Sequence, residues 1–92
     1  LIYQMEQAKE LVEKCIRDNS TSLNISTLQL MKLPDNLPDN LEKLYCGHNK
    51  LTELPNNLPR NLKLLNCNGN NLMTKTSCTK NAGNFWDYLD KY

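Results

Sequence analysis

Cys46 and His48 stand two residues apart in the stretch LEKLYCGHNKL, residues 41–51. A thiol beside an imidazole can begin two kinds of chemistry. The imidazole can activate the thiol as a nucleophile, or the two can open a metal site, which for zinc needs about four converging ligands. Cys46, His48 and Cys67 supply three such ligands at most, and no CxxC or HxxxH spacing occurs. No glycine-rich phosphate loop, paired-carboxylate signature or GxSxG elbow accompanies them.

The stretch also has a sister. Residues 33–53 read LPDNLPDNLEKLYCGHNKLTE and residues 54–74 read LPNNLPRNLKLLNCNGNNLMT, with eleven of twenty-one positions identical and no gap. The cysteine recurs as Cys67, whereas His48 aligns with Gly69 and, in a degenerate upstream copy, with Thr27. In that copy Leu23, Ile25, Leu30 and Leu33 fall in register with Leu44, Cys46, Leu51 and Leu54. Cys46 thus shares its slot with Ile25 and Cys67, a slot for a small apolar side chain, and a free cysteine behaves as a small hydrophobe. A reactive thiolate needs exposure, so the repeat argues against a dyad, and no enzymatic activity, metal or cofactor is expected. A Cys46–Cys67 disulfide is disfavoured because both thiols would enter one packed interior from neighbouring parallel strands. Cys15 and Cys78 lie toward opposite ends of the chain, and all four cysteines are expected as free thiols.

The elements that hold these residues follow from the period. Pro34 and Pro38, then Pro55 and Pro59, fix φ and remove an N–H each, which excludes a helix from that half of the unit. In the other half Leu44 and Cys46, then Leu65 and Cys67, alternate like a short strand with one buried face. One strand and one extended return leg cannot bury their own apolar side, whereas stacked copies can, through a parallel sheet. Asn49 and Asn70 sit where the chain leaves the strand and turns inward, and their amides suit backbone groups cut off from water. The first copy has Leu28 at that place, so its turn is expected to be built differently.

The skeleton LxxLxCxxNxLxxLPxxLPxxL resembles a leucine-rich repeat, in the short proline-containing form of bacterial effectors and some giant DNA viruses. The likeness covers residues 20–74 and implies a curved right-handed solenoid with its parallel sheet on the concave side. Some effectors with such repeats are ubiquitin ligases whose catalytic cysteine lies in a separate domain after the repeats. Nothing here matches that domain, and no such activity is carried over.

A stack this short needs capped ends. The chain is expected to form one domain: a helical cap over 1–19, about three repeats over 20–74, and a loop with a small aromatic cap over 75–92. In IYQMEQAKELVEKCIR, residues 2–17, Ile2, Met5, Ala8, Val12, Cys15 and Ile16 recur at helical spacing. Glu10–Lys14 and Glu13–Arg17 are i,i+4 pairs on the other side. The far end carries Phe85, Trp86, Tyr88, Leu89 and Tyr92 as a hydrophobic lid.

Composition narrows the partners. Eleven basic and ten acidic side chains leave no field for a polyanion, and no apolar run reaches the ~18–20 residues that span a bilayer. The sequons Asn19-Ser20-Thr21 and Asn24-Ile25-Ser26 are expected by chance in an asparagine-rich chain without a signal peptide. Nucleic acid and membrane are therefore not expected as partners, and a protein is. The expected location is the cytoplasm, including that of a host cell. Function is expected on the residues alternating with the core positions, the concave face of Asn24, Lys43, Tyr45, His48, Leu64, Asn66 and Asn68, with Ser22, Ser26 and Gly47 between them. Tyr45 is the large anchor of this face and Leu64 its exposed apolar residue. The expected function is a non-catalytic protein-interaction module, with the recognition part of a larger enzyme such as a ubiquitin ligase as the alternative.

Overall fold

The computed structural model describes residues 2–55 and 57–72; the expected loop and aromatic cap lie outside them. The elements in chain order are α1 (Ile2–Arg17), β1 (Ser22–Asn24), β2 (Lys43–Tyr45) and β3 (Leu64–Asn66).

Helix α1 forms where the sequence has no proline or glycine and is rich in Glu, Gln and Lys, all good helix formers. Ala8, Val12 and Cys15 are buried at i, i+4 and i+7, and Met5 and Leu11 pack half-buried beside them. Ile16 departs from the expected stripe. It is 53% exposed, because the step from Cys15 turns it off the buried face, while Leu11 packs half-buried at the other edge of the stripe. The helix stops in a Schellman arrangement. The Ser20 N–H donates to the Cys15 carbonyl at 2.9 Å and the Asn19 N–H to the Ile16 carbonyl at 3.1 Å, with Asn19 at φ 53° in the left-handed region that asparagine tolerates.

The expected pairs Glu10–Lys14 and Glu13–Arg17 do not form. Lys14 Nζ instead donates to Asp18 Oδ2 at 2.8 Å. That hydrogen bond and charge hold the Asp18 carboxyl below its ordinary range. Both partners are exposed, so the pair contributes little to stability.

The three strands form a parallel sheet in the order β1-β2-β3, with α1 packed against β1. The register aligns Ser22 with Lys43 and Leu64, Leu23 with Leu44 and Leu65, and Asn24 with Tyr45 and Asn66, each step being one sequence repeat. Leu23, Leu44 and Leu65 are buried, as are Ile25, Cys46 and Cys67 two residues on. Leu41, Leu51, Leu58 and Leu62 complete the core, with Leu37 and Leu54 half-buried at its edge.

The hydrogen bonds translate with the repeat. Ile25 N donates to Tyr45 O and Cys46 N to Asn66 O, both at 2.8 Å; Lys50 N donates to Leu30 O and Asn71 N to Leu51 O, at 2.7 and 2.9 Å. The prolines leave the same mark twice, with Leu41 N donating to Pro38 O and Leu62 N to Pro59 O.

Asn49 is the one buried polar side chain among the described residues, and every part of its amide is used. Oδ1 accepts from Leu28 N at 2.9 Å and Leu30 N at 3.0 Å, while Nδ2 donates to the carbonyls of Ile25, Cys46 and Gly47 at 3.0–3.3 Å. Asn70 repeats the pattern one copy later. Its Oδ1 accepts from Leu51 N, and its Nδ2 donates to the carbonyls of Cys46, Cys67 and Asn68.

Each asparagine therefore reaches backward and ties the turn of the preceding copy to its own. The first turn, expected to differ because Leu28 replaces the asparagine, does differ at Gln29, which takes φ 60° where Lys50 and Asn71 do not, but it shares the left-handed Thr27 with its counterparts His48 and Gly69. Its backbone N–H groups at Leu28 and Leu30 are served by Asn49.

Candidate functional site

The sheet presents its alternate residues outward in three rows. Ser22, Lys43 and Leu64 form the first, Asn24, Tyr45 and Asn66 the second, and Ser26, Gly47 and Asn68 the third. Lys43, Asn24, Asn68 and His48 are exposed, and Tyr45, Leu64 and Asn66 are half-buried. The strand register thus brings together Asn24, Lys43, Tyr45, Leu64 and Asn66, and His48 and Asn68 follow at the exits of β2 and β3, joined by the His48 N–H donating to the Asn68 carbonyl at 2.7 Å. Two expectations change. Leu64 is half-buried rather than exposed, and Gly47 is buried, since a Cβ there would stand 3.1 Å from the Asn68 carbonyl and 3.5 Å from Asn66 Oδ1.

Asn24 and Asn66 carry a second duty. Asn24 Oδ1 accepts from Ser26 N at 3.0 Å and Asn66 Oδ1 from Asn68 N at 3.2 Å, so both carbonyl oxygens close Asx turns at the strand exits. What these side chains offer outward is the NH₂ end. Tyr45 interrupts this pattern in the middle row, as the one aromatic side chain on the face. No carboxylate stands in any of the rows. Glu42 precedes β2, with Oε2 3.9 Å from Lys63 Nζ.

His48 sits at the exit of β2 with φ 53°, in register with Thr27 at φ 56° and Gly69 at φ 76°. All three repeats therefore enter the left-handed region at one place. A β-branched threonine there is a genuine outlier, and glycine is the residue the position favours. In the sequence the signal for this backbone is the glycine that aligns with Thr27 and His48.

The imidazole also needs Gly69. A Cβ on residue 69 would lie 2.5 Å from His48 Nδ1, so the ring occupies the space that the missing side chain leaves. Gly69→Ala is expected to cost about 1–2 kcal/mol from the left-handed backbone, with displacement of the ring on top. In a His48→Gly background only the backbone cost remains. Urea denaturation of the two single variants and the double variant gives the coupling, and strict additivity would contradict the packing of ring on glycine.

The remaining chemistry is quickly placed. Cys46 is fully buried, and burial pushes its thiol from the ordinary 9.0 up to about 12, so it is a neutral thiol at physiological pH and no partner for His48. Thiol alkylation of the native chain at pH 8 is expected to leave Cys46 unmodified until the chain is unfolded; rapid native labelling would contradict this. Because the folded value lies above the unfolded one, this thiol contributes its full share to stability below pH 9 and loses it progressively between pH 9 and about 12.

Cys15 is also a free, buried thiol, and its Sγ donates to the Ser20 carbonyl at 3.4 Å. Cys67 corrects the expectation of four free thiols, because it is disulfide-bonded. The part of that expectation that disfavoured a Cys46–Cys67 bond stands, since Cys46 is free. Among the described residues no group of three or more His, Cys, Asp or Glu side chains could hold a metal ion. No helix among them is long and apolar enough to cross a membrane.

No protein-family profile and no curated protein matches the chain. A solved structure does: the leucine-rich-repeat domain of a Shigella effector superposes with a TM-score of 0.69 at 39% sequence identity, covering 73% of this chain. The chain is similar to part of a leucine-rich-repeat domain. It spans 30% of the length of that Shigella domain. The parallel strands, the helix before them and the asparagine at each strand exit fit a fragment of such a repeat array.

Proposed function

We propose that this leucine-rich-repeat chain is a non-catalytic protein-interaction module of the bacterial-effector kind, acting inside a cell. The outward sheet face, concave in such arrays, would hold the partner. One observation carries the reading: the strand register gathers Lys43, Tyr45 and Leu64 with the amides of Asn24, Asn66 and Asn68 on one surface without a carboxylate. A half-buried tyrosine ringed by adaptable amide groups is the composition of a protein-recognition surface, giving rigid contact area at low entropic cost. Leu64 extends the apolar contact, and His48 borders it, fixed over Gly69.

Three strands span only about 15 Å at their usual spacing, and a stable interface takes about 800 Å² per partner. The face therefore binds as part of a longer surface, which agrees with a chain covering 30% of its Shigella counterpart. The combined substitution Tyr45→Ala and Leu64→Asp is expected to abolish capture of the partner from the native host while shifting the thermal melt little. Undiminished capture would move the site off this face.

A further inference from the structure

We infer that the outward sheet face takes an acidic segment of its partner protein. A carboxylate of that segment seats on Lys43 and the NH₂ groups of Asn24 and Asn66, and an apolar side chain beside it lies along Tyr45 and Leu64. The inference rests on the reading of this face as a protein-binding surface and names the chemistry of what binds there.

The face is one-sided in its hydrogen bonding. Asn24 and Asn66 flank Tyr45 in the strand register, one on each side. An asparagine amide has an acceptor end and a donor end. Both residues spend the acceptor on their own chain: Asn24 Oδ1 takes the Ser26 N–H at 3.0 Å, and Asn66 Oδ1 takes the Asn68 N–H at 3.2 Å. Only an oxygen can accept there, so each turn fixes the orientation of its amide. The two NH₂ ends are bound to no group among the described residues and are left for a partner.

Lys43 adds a charge of the same sense. It is exposed on the middle strand, between Ser22 and Leu64 in register. It takes part in neither ion pair among the described residues, Lys14 with Asp18 and Lys63 with Glu42. Neighbouring strands lie about 4.8 Å apart and alternate residues about 6.6 Å along a strand, so Lys43 stands roughly 8 Å from each asparagine on a diagonal. The diagonal from Tyr45 to Leu64 crosses the one from Lys43 to Asn66 and is apolar. A partner that covers Tyr45 also covers Lys43. An ammonium desolvated without a counter-charge weakens a complex, whereas one met by a carboxylate among further donors holds it. A basic segment would meet three donors and no carboxylate.

The test is a titration of the isotope-labelled full chain, followed by NMR, with three mixtures of short peptides at matched salt. Leucine and tyrosine alternate with Asp and Glu in the first, with Ser and Gln in the second, and with Lys and Arg in the third. The acidic mixture is expected to move the side-chain NH₂ signals of Asn24 and Asn66 and the backbone amides of Lys43 and Tyr45 several-fold more than the neutral one. The basic mixture is expected to leave them in place. An equal response to the neutral mixture, or a larger one to the basic mixture or to a single-stranded oligonucleotide, would overturn the inference and leave the face a binding surface of another kind. So would acidic-peptide shifts no larger at Lys43 than at the exposed Lys9, Lys32 and Arg60, which mark general charge attraction. No response at the face to any mixture would overturn it too, and the reading of the face as a protein surface is then judged separately, by capture with the Tyr45→Ala and Leu64→Asp chain. Asn24→Asp combined with Asn66→Asp keeps the acceptor that each turn needs and replaces each outward donor by an acceptor. It is expected to abolish the acidic response. Lys43→Gln, at an exposed position, is expected to weaken that response several-fold. An unchanged acidic response in either variant would overturn the role given to that group.

Discussion

Asn49→Ala is expected to be the most damaging single substitution in the repeats, lowering stability by about 4 kcal/mol or more and leaving the chain largely unfolded at 37 °C. The amide is buried, and its removal strands the N–H groups of Leu28 and Leu30 and takes a donor from the carbonyls of Ile25, Cys46 and Gly47, of which Cys46 keeps Asn70 Nδ2 and Gly47 keeps the Thr27 N–H. Each buried polar group left without a partner costs about 1–3 kcal/mol, and some will recover part of this through shared backbone bonds or water. For a chain of this size the shift in melting temperature is about 4–8 °C per kcal/mol. Asn49→Asp should be no milder. It keeps an acceptor for the two N–H groups but turns a negatively charged oxygen toward three carbonyl oxygens that had been receiving a donor. Asn70→Ala, half-buried and serving the last described turn, should cost about 1–2 kcal/mol. Urea denaturation followed by circular dichroism orders the three variants, and an Asn49→Ala chain as stable as the Asn70→Ala chain would refute the backward-reaching role of the amide.

Leu44→Ala comes next, at about 3–4 kcal/mol. Leu44 is fully buried on the middle strand, with Leu23 and Leu65 beside it in register. A side chain flanked on both sides by packed neighbours leaves a cavity that cannot collapse from the solvent side, which places the cost toward the upper part of the leucine-to-alanine range. Leu54→Ala tests the argument from the other direction. Leu54 is half-buried at the edge of the core, so its truncation is expected to cost about 1 kcal/mol, in proportion to the smaller area it withdraws from water. Equal losses for the two would mean that the core does not run as a continuous stack through the middle strand.

Much of this architecture was legible because the repeat states the same facts twice. Cys46 could be assigned to the core before any coordinates, since Ile25 and Cys67 fill its slot, and the strand registers fell where the sequence copies align. The asparagine turn was legible from chemistry alone, because an amide is the side chain that can both accept from and donate to a turning backbone.

What was not legible depends on relations between copies rather than within one. Leu28 suggested a different first turn, and Gln29 makes it so, but the amide that serves this turn belongs to Asn49, one copy ahead. The His48 ring rests on Gly69, again one copy ahead, and alignment treated the two as alternatives at one position rather than as neighbours. Gly47 looked like a surface residue by alternation and is buried because the next copy's backbone closes over it. On α1, Ile16 lies one residue past the end of the buried stripe, where the helical step outweighs its hydrophobicity. Lys14 prefers Asp18 to Glu10 because the chain leaving the helix brings that carboxylate to 2.8 Å.

The claim at the centre of this account is that the outward sheet face meets a protein. It is tested most directly by placing a photo-crosslinking phenylalanine derivative at position 45, at position 64 and, as a control, at position 3, where Tyr3 is 69% exposed on α1. Irradiation in the native host is expected to yield the same protein adduct from positions 45 and 64 and none from position 3. An adduct from position 3 with none from 45 or 64 would contradict the account and transfer the binding role to the helix.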